Sequence, residues 1–223
     1  MVLFVFATEM EFSKVFPETA QTFANAVPSN SLIPLKNAPN GAYASVLGVG
    51  ILEFSANLSR TILDCRQNNI NISSVINVGI CGAFPDSGLS ILDVVNVVCD
   101  QVGDLGHEEC DGSFIPMKNL YSAASGVDAP AMISDLLVRL PHVDGVTVNC
   151  CTGTIDTATM RTQCHKAQVE SMEGAACFAV CEKFGIPAFQ IRAVSNIASN
   201  RDESMWKIDE AIEALRKSLR RQK

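Results

Sequence analysis

The segment Val169-Glu-Ser-Met-Glu-Gly-Ala-Ala176 decides the fold, because it opens a long apolar stretch. From Gly174 to Phe184 the chain leaves hardly any face for water, which predicts a helix that lies inside the protein. Gly185 is expected to end this helix, and Pro187 prevents it from resuming. The amino end of a helix carries unpaired N–H groups and partial positive charge. We therefore expect the Glu173 carboxylate beside it to be ionised and ready to accept hydrogen bonds.

The run Ala188-Phe-Gln-Ile-Arg-Ala-Val194 follows this helix and is apolar and partly β-branched. Such a run predicts a central strand of a sheet. Ser195 and Asn196 then lie at the carboxyl end of the strand. Ligands of open α/β sheets bind at such ends, so both segments are predicted to be functional.

Strands and helices alternate along the rest of the chain, and no linker, repeat or low-complexity segment divides it. We predict strands over Val2–Ala7, Ala42–Val49, Ser74–Val78, Ile91–Asp100 and Gly145–Cys151, and helices over Glu9–Val27 (interrupted near Pro17), Glu53–Gln67, Pro130–Leu140 and Ser204–Arg220. Glycine turns are expected at Gly48-Val-Gly50 and Gly79–Phe84, a surface loop over Pro28–Asn40, and an irregular excursion over Gln101–Tyr121. This alternation predicts one α/β domain, residues 1–223, built as a three-layer α/β/α sandwich around a central twisted mixed sheet.

The charge of the chain excludes several classes of partner. A formal net charge of -7 and a pI near 4.9 argue against binding to nucleic acid or to an anionic membrane, because both require basic patches. The basic cluster Arg216–Lys223 is interpreted as the solvated end of the last helix. The opening run Val2–Ala7 has no basic residues before it and acidic residues soon after, so it is expected to be neither a signal peptide nor a membrane span.

The nine cysteines form no Cys-x-x-Cys pair, which argues against a zinc or thioredoxin-like site. Six of them lie in apolar runs and are expected to be reduced core residues of a cytoplasmic protein: Cys65, Cys81, Cys99, Cys150, Cys177 and Cys181. His107, His142 and His165 are not spaced as metal ligands, so we expect no metal. The chain also lacks a Gly-x-Ser-x-Gly motif, which argues against acyl transfer.

Each polar candidate also has an ordinary structural explanation. Glu11 and Glu173 are carboxylates in the first turn of a helix, where acidic residues are common. Asn196 is able to form a turn by bonding its own backbone. Arg201 and Asp202 are interpreted as a structural ion pair.

Five segments, in order along the chain, resemble the nucleoside phosphorylase and nucleosidase superfamily, particularly its methylthioadenosine/S-adenosylhomocysteine nucleosidase branch. They are Ala7-Thr-Glu-Met-Glu11, Gly48-Val-Gly50, Asn77-Val-Gly-Ile-Cys-Gly82, Val169–Ala176 and Arg192-Ala-Val-Ser-Asn196. The Met-Glu-Gly-Ala-Ala element is specific, whereas the glycine turns alone are weak signals. The resemblance implies a nucleoside phosphorylase-like fold and a reaction that needs no cofactor.

The resemblance also assigns roles to individual residues. It implies that Glu11 activates the attacking water and that Met172 and Glu173 hold the ribose, with the carboxylate accepting hydrogen bonds from the 2'- and 3'-hydroxyls. Gly82 is expected to lie against the nucleoside, and Ser195 to belong to the substrate site. The segment Gly153–Thr157, which should contact the base, departs too far from the family pattern to name contacts.

The informative departure is Asn196, where the adenine-specific nucleosidases carry Asp. An Asn amide donates its NH2 to a 6-keto oxygen, so it suits hypoxanthine better than adenine. The segment Ser195–Asp202 followed by Trp206 resembles the futalosine hydrolase branch, which releases hypoxanthine from futalosine in menaquinone biosynthesis. Asn196 is then predicted to be catalytic, donating to the purine as it departs.

The alternatives are a methylthioadenosine/S-adenosylhomocysteine nucleosidase, a purine nucleoside phosphorylase, and a nucleoside-binding module without turnover. Phosphorolysis needs a cationic cage, and the first arginine in the chain is Arg60, so water is favoured as the nucleophile. Arg60 or Arg192 nevertheless remains able to reach the site in three dimensions. The resemblance implies a homodimer or a higher homo-oligomer, while the residues that bind the 5'-substituent are left open among Arg201, Lys207 and a neighbouring subunit.

Overall fold

The computed structural model describes residues 1–24, 26–36 and 41–220. Its strands are β1 (Val2–Phe6), β2 (Ile33–Pro34), β3 (Ala42–Val46), β4 (Ser74–Ala83), β5 (Val94–Val102), β6 (Gly106–Glu108), β7 (Phe114–Pro116), β8 (Tyr121–Ser122), β9 (His142–Thr147), β10 (Val169–Ser171) and β11 (Ala188–Ile197). Its α-helices are α1 (Glu9–Val15), α2 (Pro17–Ala20), α3 (Ile51–Gln67), α4 (Ala131–Arg139), α5 (Ile155–His165), α6 (Gly174–Phe184) and α7 (Ile208–Arg220). Short 3-10 helices occupy Gly126–Asp128 and Glu203–Met205.

The central sheet is mixed, as the alternation of strands and helices predicted. Its order is β10-β9-β5-β11-β4-β1-β3-β2, and β8 adds to β5. The core pairs β1–β3, β1–β4, β11–β4, β5–β9 and β9–β10 are parallel, whereas β11–β5 is antiparallel. A further antiparallel pairing joins β10 back to β4, so β4, β10, β9, β5 and β11 form a closed ring of strands. This closure brings the end of β4 between β10 and β11.

Helices cover both faces of the sheet and produce the predicted three layers. On one face α3 and α6 pack together over β1 and β4, around residues such as Phe54, Leu58 and Phe178. On the other face α1, α4 and α7 pack over β1, β4 and β11, around Phe12 and Ile212. Among the described residues, no helix is long and apolar enough to cross a bilayer.

The helix that follows Glu173 has the predicted bounds and environment. Its first five residues, Gly174–Phe178, are all buried, and Cys181 is fully enclosed. Gly185 ends the helix with φ +66, a left-handed conformation that glycine adopts without strain. The sequence prediction of a buried helix ended by Gly185 is therefore confirmed.

The predicted glycine turn at Gly79–Phe84 is wrong. Strand β4 continues through Gly79 and Gly82 to Ala83, because β11 bonds one edge along this stretch and β10 bonds the other edge at Gly82 and Ala83. These glycines are required for close approach instead of for chain reversal. A Cβ on Gly79 would overlap Arg192 Nη1 and lie 2.7 Å from Glu11 Oε1.

Several other predictions differ from the structure. The excursion over Gln101–Tyr121 contains the small β6–β7 sheet, and helix α5 was not predicted because its apolar residues follow no clear helical stripe. The last helix, predicted from Ser204, begins at Ile208, so Trp206 precedes α7. Part of the loop Pro28–Asn40 and the tip of the basic cluster Arg216–Lys223 lie outside the described residues.

The nine cysteines are free thiols. Cys65, Cys81, Cys177 and Cys181 are buried as predicted, whereas Cys99 is half-buried. The prediction that Cys150 is a core residue is wrong, because β9 ends at Thr147 and leaves this cysteine in an exposed connection.

Candidate active site

A cavity of about 200 Å³ opens at the ends of β1, β4, β10 and β11. All six residues that the sequence analysis proposed for the site line it: Glu11, Gly82, Met172, Glu173, Ser195 and Asn196. They come from four separate parts of the chain, and the roles assigned to them stay predictions. A larger groove, of about 390 Å³, lies between α5 and the turn after β4, but its lining contains no comparable set of carboxylates.

Glu11 has a structural task as well as a place in the cavity. Its Oε2 accepts hydrogen bonds from Thr8 N at 3.1 Å and from Thr8 Oγ1 at 2.7 Å, while Glu11 N donates to Thr8 Oγ1. This arrangement is a capping box that begins α1. Its Oε1 instead accepts from Ile80 N at 3.1 Å, which ties the carboxylate to the central strand β4. The side chain is thus held at the cavity wall by both of its oxygens. One oxygen caps α1, as the ordinary structural explanation expects, but the other binds β4, which capping does not explain.

Glu173 does not cap the helix that it precedes. Its side chain makes no capping hydrogen bond within α6, and its Oε1 accepts from Gly50 N at 3.1 Å in the glycine turn after β3. Burial raises the pKa of Glu173, and the nearby Arg192 guanidinium opposes this rise. The carboxylate is turned away from the start of α6 and into the cavity, so the groups that favour its charged form are the Arg192 guanidinium and the Gly50 N–H.

Arg192 is the largest fully enclosed side chain of the site, although from the sequence it was only an open possibility. Its Nη2 lies 3.6 Å from Glu173 Oε2 and donates to Gln190 Oε1 at 3.2 Å. Arg60, the other possibility, is exposed on α3 and pairs with Asp64. The sequence contained a signal for this residue, because Arg192 lies inside the apolar run of β11. Arginine is almost never fully buried without a partner, so its position indicated a buried charge pair.

A buried polar network continues behind Arg192. Gln190 accepts from Asn77 Nδ2 at 3.2 Å and donates from Nε2 to Asp100 Oδ2 at 2.9 Å. Thr147 Oγ1 donates to Asp100 Oδ1 at 2.9 Å and accepts from the first turn of α6 through Ala175 N. Burial raises the pKa of Asp100 to about 6, although these hydrogen bonds oppose the rise. The network holds the base of the site and the amino end of α6 in one arrangement.

Asn196 lies at an irregularity in the pairing of β11 with β4. Its Oδ1 is 2.8 Å from Ser195 Oγ, whose hydroxyl also lies 3.2 Å from the Cys81 carbonyl. The amide nitrogen is 3.3 Å from the position that a Cβ on Gly82 would occupy. Within the described part of the chain Asn196 does not bond its own backbone, so the turn explanation is not the one the structure adopts. The amide therefore presents its NH2 group over Gly82.

Glu170 was missed by the sequence analysis, although a carboxylate between apolar residues of a short strand is itself a signal. It is 4% exposed and lines the same cavity. Thr152 donates to it from both N and Oγ1, at 2.9 and 2.6 Å, and Arg161 Nη1 approaches its Oε2 at 3.0 Å. The cavity wall at β10 is thus a buried ion pair reinforced by hydrogen bonds.

Trp206 lines the cavity beside Asn196, because Lys207 N donates to Ser195 O and pins this segment to β11. The Arg201 guanidinium lies over the Trp206 ring, 4.6 Å from its centroid. The predicted pair of Arg201 with Asp202 is wrong: Arg201 binds Glu203 at 2.8 Å, while Asp202 caps the following 3-10 helix. The first turn of that short helix brings the Glu203 carboxylate, and not that of Asp202, to the Arg201 guanidinium.

No group of three or more metal-ligating side chains occurs in residues 1–24, 26–36 and 41–220. The charged groups of the cavity are instead suited to binding and proton transfer. Glu11 and Glu173 offer carboxylates, with Arg192 beside Glu173, and Asn196 offers an amide donor in the same cavity. Such a set is able to hold a diol, activate a water and donate to a leaving group.

Comparison with known proteins shows the family and the fold of the chain. The family model of the Phosphorylase superfamily matches residues 50–222. A futalosine hydrolase of Streptomyces coelicolor is 29% identical over 188 residues, which cover 82% of this chain and 79% of that protein. A 5'-methylthioadenosine/S-adenosylhomocysteine nucleosidase of Shewanella oneidensis is 28% identical over 169 residues, covering 68% and 65% of the two chains. The structure of a futalosine hydrolase mutant of Helicobacter pylori superposes with a TM-score of 0.76 at 17% identity, over 98% of this chain and 96% of that one, and shows the same fold.

Proposed function

Because the chain belongs to the Phosphorylase superfamily, we propose that it is a nucleosidase that hydrolyses the N-ribosidic bond of a 6-oxopurine nucleoside. The nucleoside we propose is futalosine, with hypoxanthine and dehypoxanthine futalosine as products, in menaquinone biosynthesis. The name of the Streptomyces coelicolor relative supports this choice. We propose that the protein acts in the cytoplasm and without a cofactor.

Cleavage of this bond passes through a sugar with oxocarbenium character while negative charge builds on the departing purine. Catalysis therefore needs negative groups near the ribose and a hydrogen-bond donor near the base. Glu173 takes the ribose position, accepting hydrogen bonds from the diol and facing the developing cation. Met172, next to it in the cavity wall, packs against the sugar.

Glu11 takes the proton of the attacking water. Its carboxylate is held by Thr8 and Ile80, so it does not need to be ordered when the substrate binds. Water is favoured over phosphate because the cavity holds the carboxylates of Glu11 and Glu173 beside the guanidinium of Arg192, and Glu173 Oε2 already lies 3.6 Å from that guanidinium. A phosphate dianion would meet a net negative surrounding.

The observation that carries the choice of base is the orientation of Asn196. Its oxygen is engaged by Ser195 Oγ at 2.8 Å, so its NH2 group remains to donate into the cavity. An NH2 group donates to the 6-keto oxygen or N7 of hypoxanthine but cannot accept from the 6-amino group of adenine. Ser195 thus contributes by setting the orientation of the amide.

Product analysis tests this proposal directly. Purified protein is incubated with futalosine, inosine and methylthioadenosine, with and without phosphate, and released bases are separated by liquid chromatography. We expect hypoxanthine from futalosine at a rate independent of phosphate, and at least ~10-fold slower release of adenine. Strict dependence on phosphate would identify a phosphorylase instead. A clear preference for methylthioadenosine, the alternative that the Shewanella oneidensis relative favours, would reject the assignment of Asn196.

We further propose a homodimer or higher homo-oligomer, supported by exposed apolar side chains on and around the β6–β7 excursion. They are Leu105, Ile115, Met117 and Leu120, each more than 40% exposed. Large apolar side chains grouped on a surface are typical of interaction sites. Sedimentation velocity measures the mass in solution, and a monomer at micromolar concentration would contradict the proposal.

A further inference from the structure

Three adjacent strands place Glu170, Gly82 and Asn196 in one row across the sheet. Gly82 of β4 is the register partner of Glu170 in β10 and also of Asn196 in β11. Side chains of directly paired residues point to the same face of a sheet. Two interstrand spacings separate the outer members of the row, which is about 9.5 Å between their Cα atoms.

Because Gly82 has no side chain, its neighbours in the row come close together over its backbone. A Cβ at this position would lie 3.2 Å from Ala198 Cβ, 3.3 Å from Asn196 Nδ2 and 3.4 Å from Glu170 Cγ. Gly82, Glu170 and Asn196 all line the cavity. A flat heterocycle bound in the cavity against this row has its polar edge between an amide donor and a carboxylate.

The hydrogen bonds of Glu170 leave it able to accept one more. Its Oε2 receives Thr152 Oγ1 and Arg161 Nη1, which fills both lone pairs of that oxygen. Its Oε1 receives only Thr152 N, at 2.9 Å, among the described residues. A carboxylate oxygen has two acceptor positions, so one position of Oε1 remains.

We infer that Glu170 is a specificity-determining residue that accepts a hydrogen bond from N1–H of a 6-oxopurine. This inference rests on the proposed function and deepens it, because it names the second contact that reads the base. A 6-oxopurine carries a donor at N1 beside an acceptor at O6, whereas a 6-aminopurine carries an acceptor at N1 beside a donor. Glu170 and Asn196 together match the first pattern and oppose the second at both atoms.

Arg161 and Thr152 are positioning residues for this carboxylate. Arg161 also donates from Nη2 to the Cys150 carbonyl at 2.7 Å, so the ion pair anchors the connection after β9 as well. A purely structural ion pair would explain the burial of Glu170 equally well. It would not make the protein sensitive to the hydrogen at N1, and that sensitivity separates the two explanations.

The test measures binding of free bases by isothermal titration calorimetry, which does not depend on turnover. Wild-type protein is titrated with hypoxanthine, adenine and 1-methylhypoxanthine, in which a methyl group replaces the N1 hydrogen. We expect hypoxanthine to bind at least ~10-fold more tightly than either of the others, because an unpaired or blocked polar contact is costly in a site built to make it. This comparison requires no variant to fold.

The variant E170Q, compared with T152V as a matched control, identifies the residue responsible. E170Q should reduce the preference for hypoxanthine over adenine by ~10-fold or more, since an amide is able to donate to N1 of adenine. T152V removes one hydrogen bond to the same carboxylate but keeps the carboxylate itself, so it should reduce the preference for hypoxanthine less than E170Q does. Thermal unfolding of each variant reports on the structural anchor separately.

The outcomes distinguish this inference from the proposed function. The role of Glu170 is overturned, while the proposed function stands, if E170Q keeps the wild-type preference for hypoxanthine. The same holds if 1-methylhypoxanthine binds as tightly as hypoxanthine. Preference for adenine, or binding of neither base, overturns both. Loss of the preference in T152V as large as that in E170Q would show that Glu170 acts only through the anchored segment.

Discussion

Replacing Glu11 by Gln separates the two tasks of this side chain. The substitution keeps the shape and one acceptor oxygen but removes the base that takes the proton from water. If the retained oxygen stays on Thr8, the new NH2 group faces Ile80 N, so two donors meet where a 3.1 Å hydrogen bond was. We expect turnover to fall by ~10²- to 10⁴-fold, the usual contribution of a general base.

The same geometry sets the expected loss of stability. Leaving the half-buried Ile80 N–H without an acceptor costs about 1–3 kcal/mol. For a domain of this size each kcal/mol lowers Tm by about 2–4 °C, so E11Q should unfold at a temperature about 2–12 °C lower. Affinity for the nucleoside should be largely kept, because the ribose and base contacts are made by other residues. Hypoxanthine release, calorimetric binding and thermal unfolding measure the three quantities separately.

The matched control is Thr8→Ala, which removes the capping hydroxyl and leaves the carboxylate in place. Loss of an N-cap costs ~1 kcal/mol, so T8A should lower Tm by about 2–4 °C while turnover falls less than ~10-fold. If T8A and E11Q lose turnover equally, or if E11Q keeps more than about a tenth of the wild-type rate, Glu11 is a helix cap and the base must be sought elsewhere.

Three more predictions concern the surroundings of the site. Glu173→Gln should lower kcat/KM for inosine by ~10²-fold, because it weakens the contact with the diol. The ratio of kcat/KM for inosine to that for 2'-deoxyinosine should therefore be smaller in the variant than in the wild type. An unchanged ratio would show that Glu173 does not bind the ribose hydroxyls. Burial raises the pKa of Asp100 to about 6 in the folded protein. Between about pH 4 and pH 6 the folded protein therefore keeps a proton on Asp100 that the unfolded chain has already lost. The free energy of unfolding falls as pH rises through this window. D100N should remove this pH dependence of the free energy of unfolding, which amounts to on the order of 2–3 kcal/mol, as measured by denaturant titrations across the range. A free energy of unfolding that rises with pH in the wild type would contradict the assignment. Gly174→Ala would overlap Asp100 Oδ2 and should destabilise by about 1–3 kcal/mol, whereas Gly153→Ala, with open space around it, should not; equal melting temperatures would refute the crowding argument.

Local patterns were sufficient for much of the molecule. The apolar run after Glu173, closed by Gly185, predicted α6 with its bounds, and the β-branched run after Pro187 predicted β11. Patterns failed where pairing with distant strands decides conformation. The glycines of β4 indicated a turn, yet bonds from neighbouring strands on both sides keep the chain extended. Helix α5 carries too weak a stripe of apolar residues to be read from its sequence.

The sequence alone determined the family, the layered fold and the six residues that line the cavity, because these depend on short motifs and on the period of apolar residues. Only the tertiary structure decided what those residues contact. Glu173 turns from its helix to Gly50, Arg192 is enclosed against it, and Glu170 faces Asn196 across Gly82. These relations depend on the register between strands that are far apart in the chain, and a one-residue shift in register would turn each side chain to the opposite face.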